Sequence, residues 1–179
     1  MFEQDIARVL ISVSDIASKV REMGAALTKD YAGRELVLVG LLNGAAVFLT
    51  DLGRQINLPV YYEFMAVSSY GQGAVSSGDV VINKDLSKAV AGRHLLLVED
   101  IVDTGHTVAH VLGLLTQRGP ASLKVCAFLD KPSRRQVAVE VDYVGFTVPD
   151  EFLVGYGLDY AQKYRNLPYV GVLKPEVYR

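Results

Sequence analysis

The sequence has a single cysteine, Cys126, which lies inside the apolar run Val125–Leu129. One cysteine excludes a disulfide within the chain, and its apolar neighbours favour a small buried side chain over a nucleophile or a metal ligand. The chain also lacks an apolar run long enough to span a membrane, and its first ten residues lack the features of a signal peptide. We therefore expect a cytoplasmic protein with no membrane partner.

Long basic runs are absent as well. The chain has 18 lysines and arginines and 20 acidic residues, with a formal net charge of -2. This balance gives no indication of a nucleic-acid partner. No low-complexity linker or internal repeat divides the 179 residues, half of which are hydrophobic. The composition predicts one domain spanning residues 1–179 with a sizeable core.

Short apolar runs alternate with helix-like stretches through the middle of the chain, which predicts an α/β open sheet, mostly parallel, with helices on both faces. Helices are predicted over Glu3–Leu10, Ser14–Thr28 (with Ser14 as its N-cap), Ala45–Gln55 and Thr107–Gln117. Residues Ser68–Ser77 are small and polar and predict a loop. The predicted strands are Leu36–Leu42, Val60–Val67, Asp79–Asn83, Arg93–Val98, Lys124–Leu129, Tyr143–Phe146, Phe152–Val154 and Tyr169–Leu173.

The most informative stretch is His94–Thr107, which reads HLLLVEDIVDTGHT. Glu99 and Asp100 end the predicted strand, and ligands of parallel sheets bind outside the carboxyl ends of the strands. The Asp-Thr-Gly turn that follows precedes a helix, whose free N–H groups and positive dipole end suit a phosphate. Two carboxylates repel a phosphate, but they accept hydrogen bonds from two sugar hydroxyls or share a Mg²⁺ ion. A ribose 5-phosphate satisfies both halves of the motif.

The string Val98–Gly105, VEDIVDTG, resembles the phosphoribosyl diphosphate (PRPP) signature of the type I phosphoribosyltransferases. From about Val37 to the C-terminus, the chain resembles the hypoxanthine-guanine members of that family. The resemblance implies a small hood built from about residues 1–15 and 143–179. It also implies Mg²⁺-dependent transfer of the phosphoribosyl group from PRPP to hypoxanthine or guanine, giving IMP or GMP and diphosphate in purine salvage. Relatives form dimers and tetramers, so we expect a homo-oligomer.

The same resemblance assigns roles within the signature. Glu99 and Asp100 match the positions that hold the ribose hydroxyls and the metal-associated edge of PRPP. Asp103 matches the acid/base residue beside the imidazole ring of the purine. The loop that wraps the 5′-phosphate consists of Thr104, Gly105, His106 and Thr107, of which His106 is expected to point to solvent and has no catalytic role.

Two further segments match the part of the family site that binds diphosphate. In Leu41–Ala45, LLNGA, Gly44 leaves room for the leaving group, whereas Asn43 stands where many relatives carry Lys or Arg. Near the C-terminus, Arg165 matches a diphosphate-contacting arginine, whose planar fork suits phosphate oxygens. Asp159 matches a carboxylate associated with the second metal.

The base pocket and the lid complete the resemblance. Lys131 matches the lysine that donates to the exocyclic O6 of the purine; because a lysine cannot accept a hydrogen bond, it favours a 6-oxo over a 6-amino group. Phe152 matches the aromatic residue that stacks on the purine, and Leu153 supplies backbone contacts to the ring edge. Ser69 and Tyr70 match the lid dipeptide that closes over PRPP and keeps water out.

Three other functions are compatible with parts of the sequence. A regulator that senses PRPP and binds DNA or RNA is disfavoured by the mildly acidic composition and by the joint presence of Asp103, Lys131 and Asp159. A receiver-like signalling domain would have no use for the Thr-Gly phosphate turn. A phosphoribosyltransferase for another base, such as xanthine, adenine or a pyrimidine, stays open: Lys131 argues against adenine, but only weakly against xanthine.

Overall fold

The structure is a computed structural model that describes residues 3–69 and 80–178. A six-stranded sheet contains Leu36–Leu41 (β2), Val60–Ser69 (β3), Val80–Lys84 (β4), His94–Val102 (β5), Ser122–Asp130 (β6) and Tyr143–Thr147 (β7). Its strand order is β4-β3-β2-β5-β6-β7. All neighbours are parallel except β4, which runs antiparallel to β3. The predicted mostly parallel open sheet is therefore confirmed.

Helices cover both faces of this sheet, as predicted. Val13–Asp30 (α1) and Ala45–Gln55 (α2) pack on one face, and His106–Thr116 (α3) packs on the other. Alternate residues of β5 serve the two cores: Leu96 and Val98 face α1 and α2, whereas Leu95 and Leu97 face α3. Burial on both faces explains why the central strands read as continuous apolar runs in the sequence.

A smaller antiparallel sheet joins the two ends of the chain. It contains Ile6–Ile11 (β1), Leu153–Val154 (β8) and Val170–Leu173 (β9), in the order β1-β9-β8, and is followed by the short helix Pro175–Tyr178 (α4). Residues 143–147, which the sequence prediction placed in the hood, pair with β6 and form an edge strand of the larger sheet instead. The C-terminal part of the small sheet therefore begins at Leu153.

The first predicted helix is wrong. Glu3–Asp5 forms a single 3₁₀ turn, and the residues after it form β1, which pairs with β9. The register shifts twice along this pair, so the buried positions of β1 do not alternate and the strand lacks a period-two signal. The next helix is confirmed, but its N-cap is Ser12, whose hydroxyl accepts a hydrogen bond from the N–H of Asp15, and not Ser14.

The central strand also differs from its prediction in length. It continues four residues beyond Val98, because Glu99, Ile101 and Val102 pair with β6. Glu99 and Asp100 thus lie within the last four residues of β5, and not after the strand. Within the two described ranges, no helix combines the length and the apolar character needed to cross a membrane.

Candidate active site

The turn Asp103–Gly105 connects β5 to α3 at the carboxyl edge of the larger sheet. Gly105 has φ +90°, a left-handed conformation that glycine adopts without the cost imposed by a side chain. It is the N-cap of α3 and provides no side-chain hydrogen bond to the helix. The N–H groups of the first helical turn are therefore available to an anion.

The segment that follows β6 in the chain holds this turn in place. The N–H groups of Gln136 and Val137 donate to the carbonyl oxygen of Thr104 at 2.9 and 3.1 Å. A Cβ at Gly105 would lie 2.6 Å from the carbonyl oxygen of Val137, so no larger residue fits. The exposed His106 bonds Gln136 through Nε2 at 3.1 Å, which agrees with its expected position at the solvent side of the loop.

Arg135 is a residue of this site that the sequence prediction missed. Its Nε donates to the carbonyl oxygen of Asp103 at 3.0 Å, and its guanidinium pairs with the carboxylate of Asp130. It also donates to the carbonyl oxygens of Val102 and Val139. Arg135 thus ties the end of β5 to the end of β6 and fixes the backbone of the turn.

Of the two acids of the signature, Glu99 is buried and Asp100 is half-buried. Glu99 is 6% exposed, and its burial, with a smaller contribution from the charge of Asp100, raises its pKa well above the ordinary value. Burial also raises the pKa of Asp100 to about 6, although the N–H of Ile101 donates to its carboxylate at 2.8 Å. Arg165 lowers and Asp159 raises the pKa of Asp100 to a lesser extent. These carboxyl groups are costly to ionise until a ligand supplies hydrogen-bond donors or positive charge.

The turn Leu42–Gly44 packs against the acids from the neighbouring strand β2. A Cβ at Gly44 would lie 1.7 Å from Oδ2 of Asp100, so this position has no room for a side chain. Leu42 and Gly44 line the same cavity as the acids, whereas Asn43 is exposed and does not line it. The peptide bond between Leu42 and Asn43 is cis.

One cavity of about 310 Å³ brings together most of the residues predicted to bind the phosphorylated sugar. The loop after β8 closes it with Asp159 and Arg165, whose side chains form an ion pair of 2.8 Å. The guanidinium of Arg165 is fixed by a second bond of 2.7 Å to the carbonyl oxygen of Gly157. The predicted residues that line the cavity are Gly44, Glu99, Asp100, Asp103, Thr104, Gly105, Thr107, Asp159 and Arg165.

A second cavity, of about 680 Å³, adjoins the first and shares Asp100, Asp103 and Asp159 with it. The predicted purine-binding residues Lys131, Phe152 and Leu153 all line it. Together the two cavities form one cleft with the two acids and the Asp103–Gly105 turn at one end and an aromatic ring and a lysine at the other.

Lys131 follows β6 directly, as predicted, and is 6% exposed. Its Nζ donates to the carbonyl oxygen of Glu151 at 2.9 Å and lies 3.7 Å from the carboxylate of Asp150. Since an ammonium has three donors, this arrangement leaves donor capacity for an acceptor in the cavity.

Asp103 stands where the two cavities meet. Its Oδ1 is buried and lacks a well-aligned hydrogen bond, although Nε of Arg134 lies 3.1 Å away. Arg134 also lies 3.7 Å from Asp150. The sequence prediction missed Arg134. Its guanidinium lies near Asp103 and also near Asp150, the carboxylate next to Lys131.

The predicted lid can be located only in part. Ser69 is the last residue of β3, and Val67 on the same strand lines the first cavity. Tyr70 lies outside the described residues, as does the rest of the segment up to residue 79.

The fit of a divalent cation depends on the donor set. Within residues 3–69 and 80–178, no group of three or more His, Cys, Asp and Glu side chains is arranged to hold a metal ion by itself. Asp100 and Asp159 nevertheless face the same cavity, and the charge of Asp159 raises the pKa of Asp100. Carboxylates combined with phosphate oxygens and water are a common donor set for Mg²⁺, so these residues fit a cation that a phosphorylated ligand brings with it.

Comparison with known proteins agrees with this geometry. A family model for the phosphoribosyl transferase domain matches residues 12–161. The hypoxanthine-guanine phosphoribosyltransferase of Streptococcus pneumoniae is 49% identical over 99% of both chains. The crystal structure of a hypoxanthine phosphoribosyltransferase from Staphylococcus aureus has a TM-score of 0.96 at 48% identity, covering 99% of this chain and 97% of the other. The chain therefore belongs to the phosphoribosyltransferase family, in its hypoxanthine-guanine phosphoribosyltransferase branch.

Some relatives are much longer. The bifunctional TilS/HprT protein of Listeria innocua is 53% identical over 174 residues, which are 97% of this chain but 27% of that protein. The matched part of this relative is thus a unit that occurs both within a larger protein and as a chain of about this length.

The acids of the signature generate a prediction about pH. A carboxyl group whose pKa is raised on folding binds its proton more tightly in the folded state, so its destabilising effect is absent below about pH 4 and complete above about pH 6. Asp100→Asn should therefore raise the free energy of unfolding by up to about 3 kcal/mol at about pH 8 and change it little at about pH 4. Urea unfolding of the ligand-free protein measures this difference.

Glu140→Gln, at an exposed position, provides the control and should leave the pH dependence unchanged. An Asp100→Asn variant that is no more stable than the parent at pH 8 would show that folding does not raise the pKa of this carboxyl group.

Proposed function

We propose that the protein is an enzyme of purine salvage that transfers the 5-phosphoribosyl group from PRPP to hypoxanthine or guanine. A bond forms between the anomeric carbon of the ribose and a nitrogen of the purine imidazole ring, and the bond from that carbon to the diphosphate oxygen breaks. The products are IMP or GMP and diphosphate. The observation that carries the proposal is the continuous cleft in which Asp103 stands between a ribose-phosphate cavity and a base cavity.

The ribose-phosphate end orients the sugar. The N–H groups at the start of α3 and the hydroxyls of Thr104 and Thr107 bind the 5′-phosphate. Glu99 and Asp100 accept hydrogen bonds from the ribose hydroxyls, which stabilises carboxylates that are otherwise costly to ionise. Holding the sugar at both ends places its anomeric carbon next to the base.

The leaving group is a multiply charged anion. Arg165 and the backbone of the Leu42–Gly44 turn contact its oxygens, and Asn43 contributes through its backbone. Glu99, Asp100 and Asp159 are the residues that would hold or neighbour a Mg²⁺ ion, which when present would supply positive charge to offset that of the leaving group.

Asp103 acts on the base. Its position at the junction of the cavities lets its carboxylate accept a proton from the imidazole ring as the ring nitrogen attacks, or stabilise the protonated ring. Phe152 stacks on the base, and the backbone of Leu153 contacts the ring edge. In the family pattern, Ser69 and Tyr70 close over PRPP and exclude water, which would otherwise capture the cationic sugar.

Lys131 selects the substrate class. Buried at the base cavity and able only to donate, it stabilises the O6 of a 6-oxopurine and leaves a 6-amino group facing a cation. Adenine is therefore disfavoured.

The proposal includes a homo-oligomer and a cytoplasmic location. A crevice of about 450 Å³ between α1 and α2 supports the oligomer, because Val13 and Val47 line it with 51% and 38% of their surface exposed. Apolar residues grouped at such a crevice are typical of a subunit interface. No nucleic-acid partner is part of the proposal.

A panel of bases tests the function. Hypoxanthine, guanine, xanthine, adenine and uracil are incubated with PRPP and Mg²⁺, and nucleotide formation is followed by chromatography. We expect hypoxanthine or guanine to react at least about tenfold faster than adenine, the ratio that one charge-assisted hydrogen bond to O6 provides. Transfer to xanthine alone, or to no base, would contradict the proposal.

Replacement of the acid/base residue tests the mechanism. Asp103→Asn should lower kcat about 100-fold or more while the Kd for PRPP changes little, since the amide keeps the size of the side chain but cannot take a proton. Steady-state kinetics and equilibrium dialysis with PRPP measure the two quantities. Asp130→Asn, on the same edge of the sheet, removes the charged partner of Arg135 but leaves Asp103 in place. This variant therefore separates the loss of the proton acceptor from a loosening of the turn. Unchanged kcat in Asp103→Asn would remove the assignment.

Replacement of the lysine tests specificity. Lys131→Ala should raise the KM for hypoxanthine about tenfold or more, because the charged donor to O6 is lost, and should reduce the ratio between 6-oxo and 6-amino bases. Lys124→Ala, on the strand that precedes Lys131 and with 45% of its side chain exposed, is the matched control. An unaltered base preference would place specificity elsewhere.

A further inference from the structure

The purine-stacking residue is itself held by other aromatic rings. Tyr178, in α4, stacks on Phe152 with ring centroids 4.6 Å apart and an interplanar angle of 23°. Tyr160 meets the edge of the same ring at 5.4 Å and 90°. We call Phe152, Tyr160 and Tyr178 the aromatic wall.

The wall borders the base cavity without closing it. Phe152 and Tyr178 both line the cavity of about 680 Å³ that also contains Lys131 and Asp103. Even with one partner stacked and another at its edge, Phe152 keeps 36% of its surface exposed. Aromatic surface is thus available to a planar base while Tyr178 is in place.

Hydrogen bonds hold the chain just before α4, the short helix that carries Tyr178. The N–H of Lys174, just before α4, donates to the carbonyl oxygen of Asp5 at 2.9 Å, and its Nζ donates to the carbonyl oxygen of Gln4 at 2.6 Å. The N–H of Leu173 donates to the carbonyl oxygen of Phe152 at 2.8 Å. The end of the chain is therefore tied both to the N-terminal segment and to the residue on which Tyr178 stacks.

We propose that Tyr178 is a positioning residue for the purine base, whose ring fixes Phe152 in the orientation that stacks on the base. The role belongs to the ring, since stacking does not use the hydroxyl group. This proposal rests on the proposed function, because it takes Phe152 as the residue that contacts the purine. Tyr178 acts through Phe152 and has no part in the chemical step.

Kinetics of three variants separate this role from a general effect on folding. Tyr178→Ala should raise the KM for hypoxanthine roughly three- to tenfold, the range expected for one aromatic pair, with kcat and the KM for PRPP nearly unchanged. Tyr178→Phe should restore the parent values. Glu176→Ala, at an exposed position of the same helix, is the control. Equal changes in all three constants, or none in Tyr178→Ala, would overturn the proposal, and a lower KM for the base would show that Tyr178 obstructs the pocket.

A spectroscopic measurement does not depend on catalysis. The chain has no tryptophan, so Tyr178→Trp introduces a single tryptophan into the wall, whose emission can be excited separately from that of the tyrosines. GMP should change its emission, whereas Tyr61→Trp, 41% exposed on β3 and packed on Arg93, should not respond. A response without turnover of any base would contradict the proposed function alone. Turnover without a response of the Tyr178→Trp variant would contradict the proposal for Tyr178 alone.

Discussion

Two neighbouring carboxyl groups, that of the buried Glu99 and that of the half-buried Asp100, lie at the carboxyl edge of the larger sheet, and the site depends on this constraint. Ionised carboxylates are unfavourable where water is excluded unless donors or cations surround them. Arg165 only partly compensates, because it also pairs with Asp159. A ligand that brings two hydroxyl donors and a divalent cation supplies what the folded chain leaves unsatisfied. The carboxyl groups that destabilise the folded protein without a ligand therefore favour the binding of such a ligand.

The rigidity of the site comes from contacts between backbone segments that are distant in sequence. Gly44 lets the β2–α2 turn touch the carboxylate of Asp100, and Arg135 bonds the carbonyl oxygens at the end of β5. The proposed binding regions for sugar, base and leaving group are thus built on turns that support one another, which would preserve the alignment that transfer requires. The base pocket is built differently, since its aromatic wall depends on the last helix and, through it, on the N-terminal segment.

Much of this arrangement could be predicted from the sequence. The central strands are buried on both faces and read as apolar runs, and the PRPP signature places acids and phosphate turn side by side. The strand β1 could not be recognised, because its pairing with β9 shifts register and leaves no alternation. Arg135 and Tyr178 were missed for another reason: their partners are a backbone carbonyl and a ring brought close only by the fold. A guanidinium in a loop and a tyrosine near a terminus carry no local signal of such contacts.

The most direct test of the central claim is a crystal structure of the protein with IMP or GMP. We expect phosphate oxygens within hydrogen-bond distance of the N–H groups of Thr104–Thr107, ribose hydroxyls on Glu99 and Asp100, and the base between Phe152 and Lys131. A nucleotide bound elsewhere, with the phosphate turn empty, would contradict it.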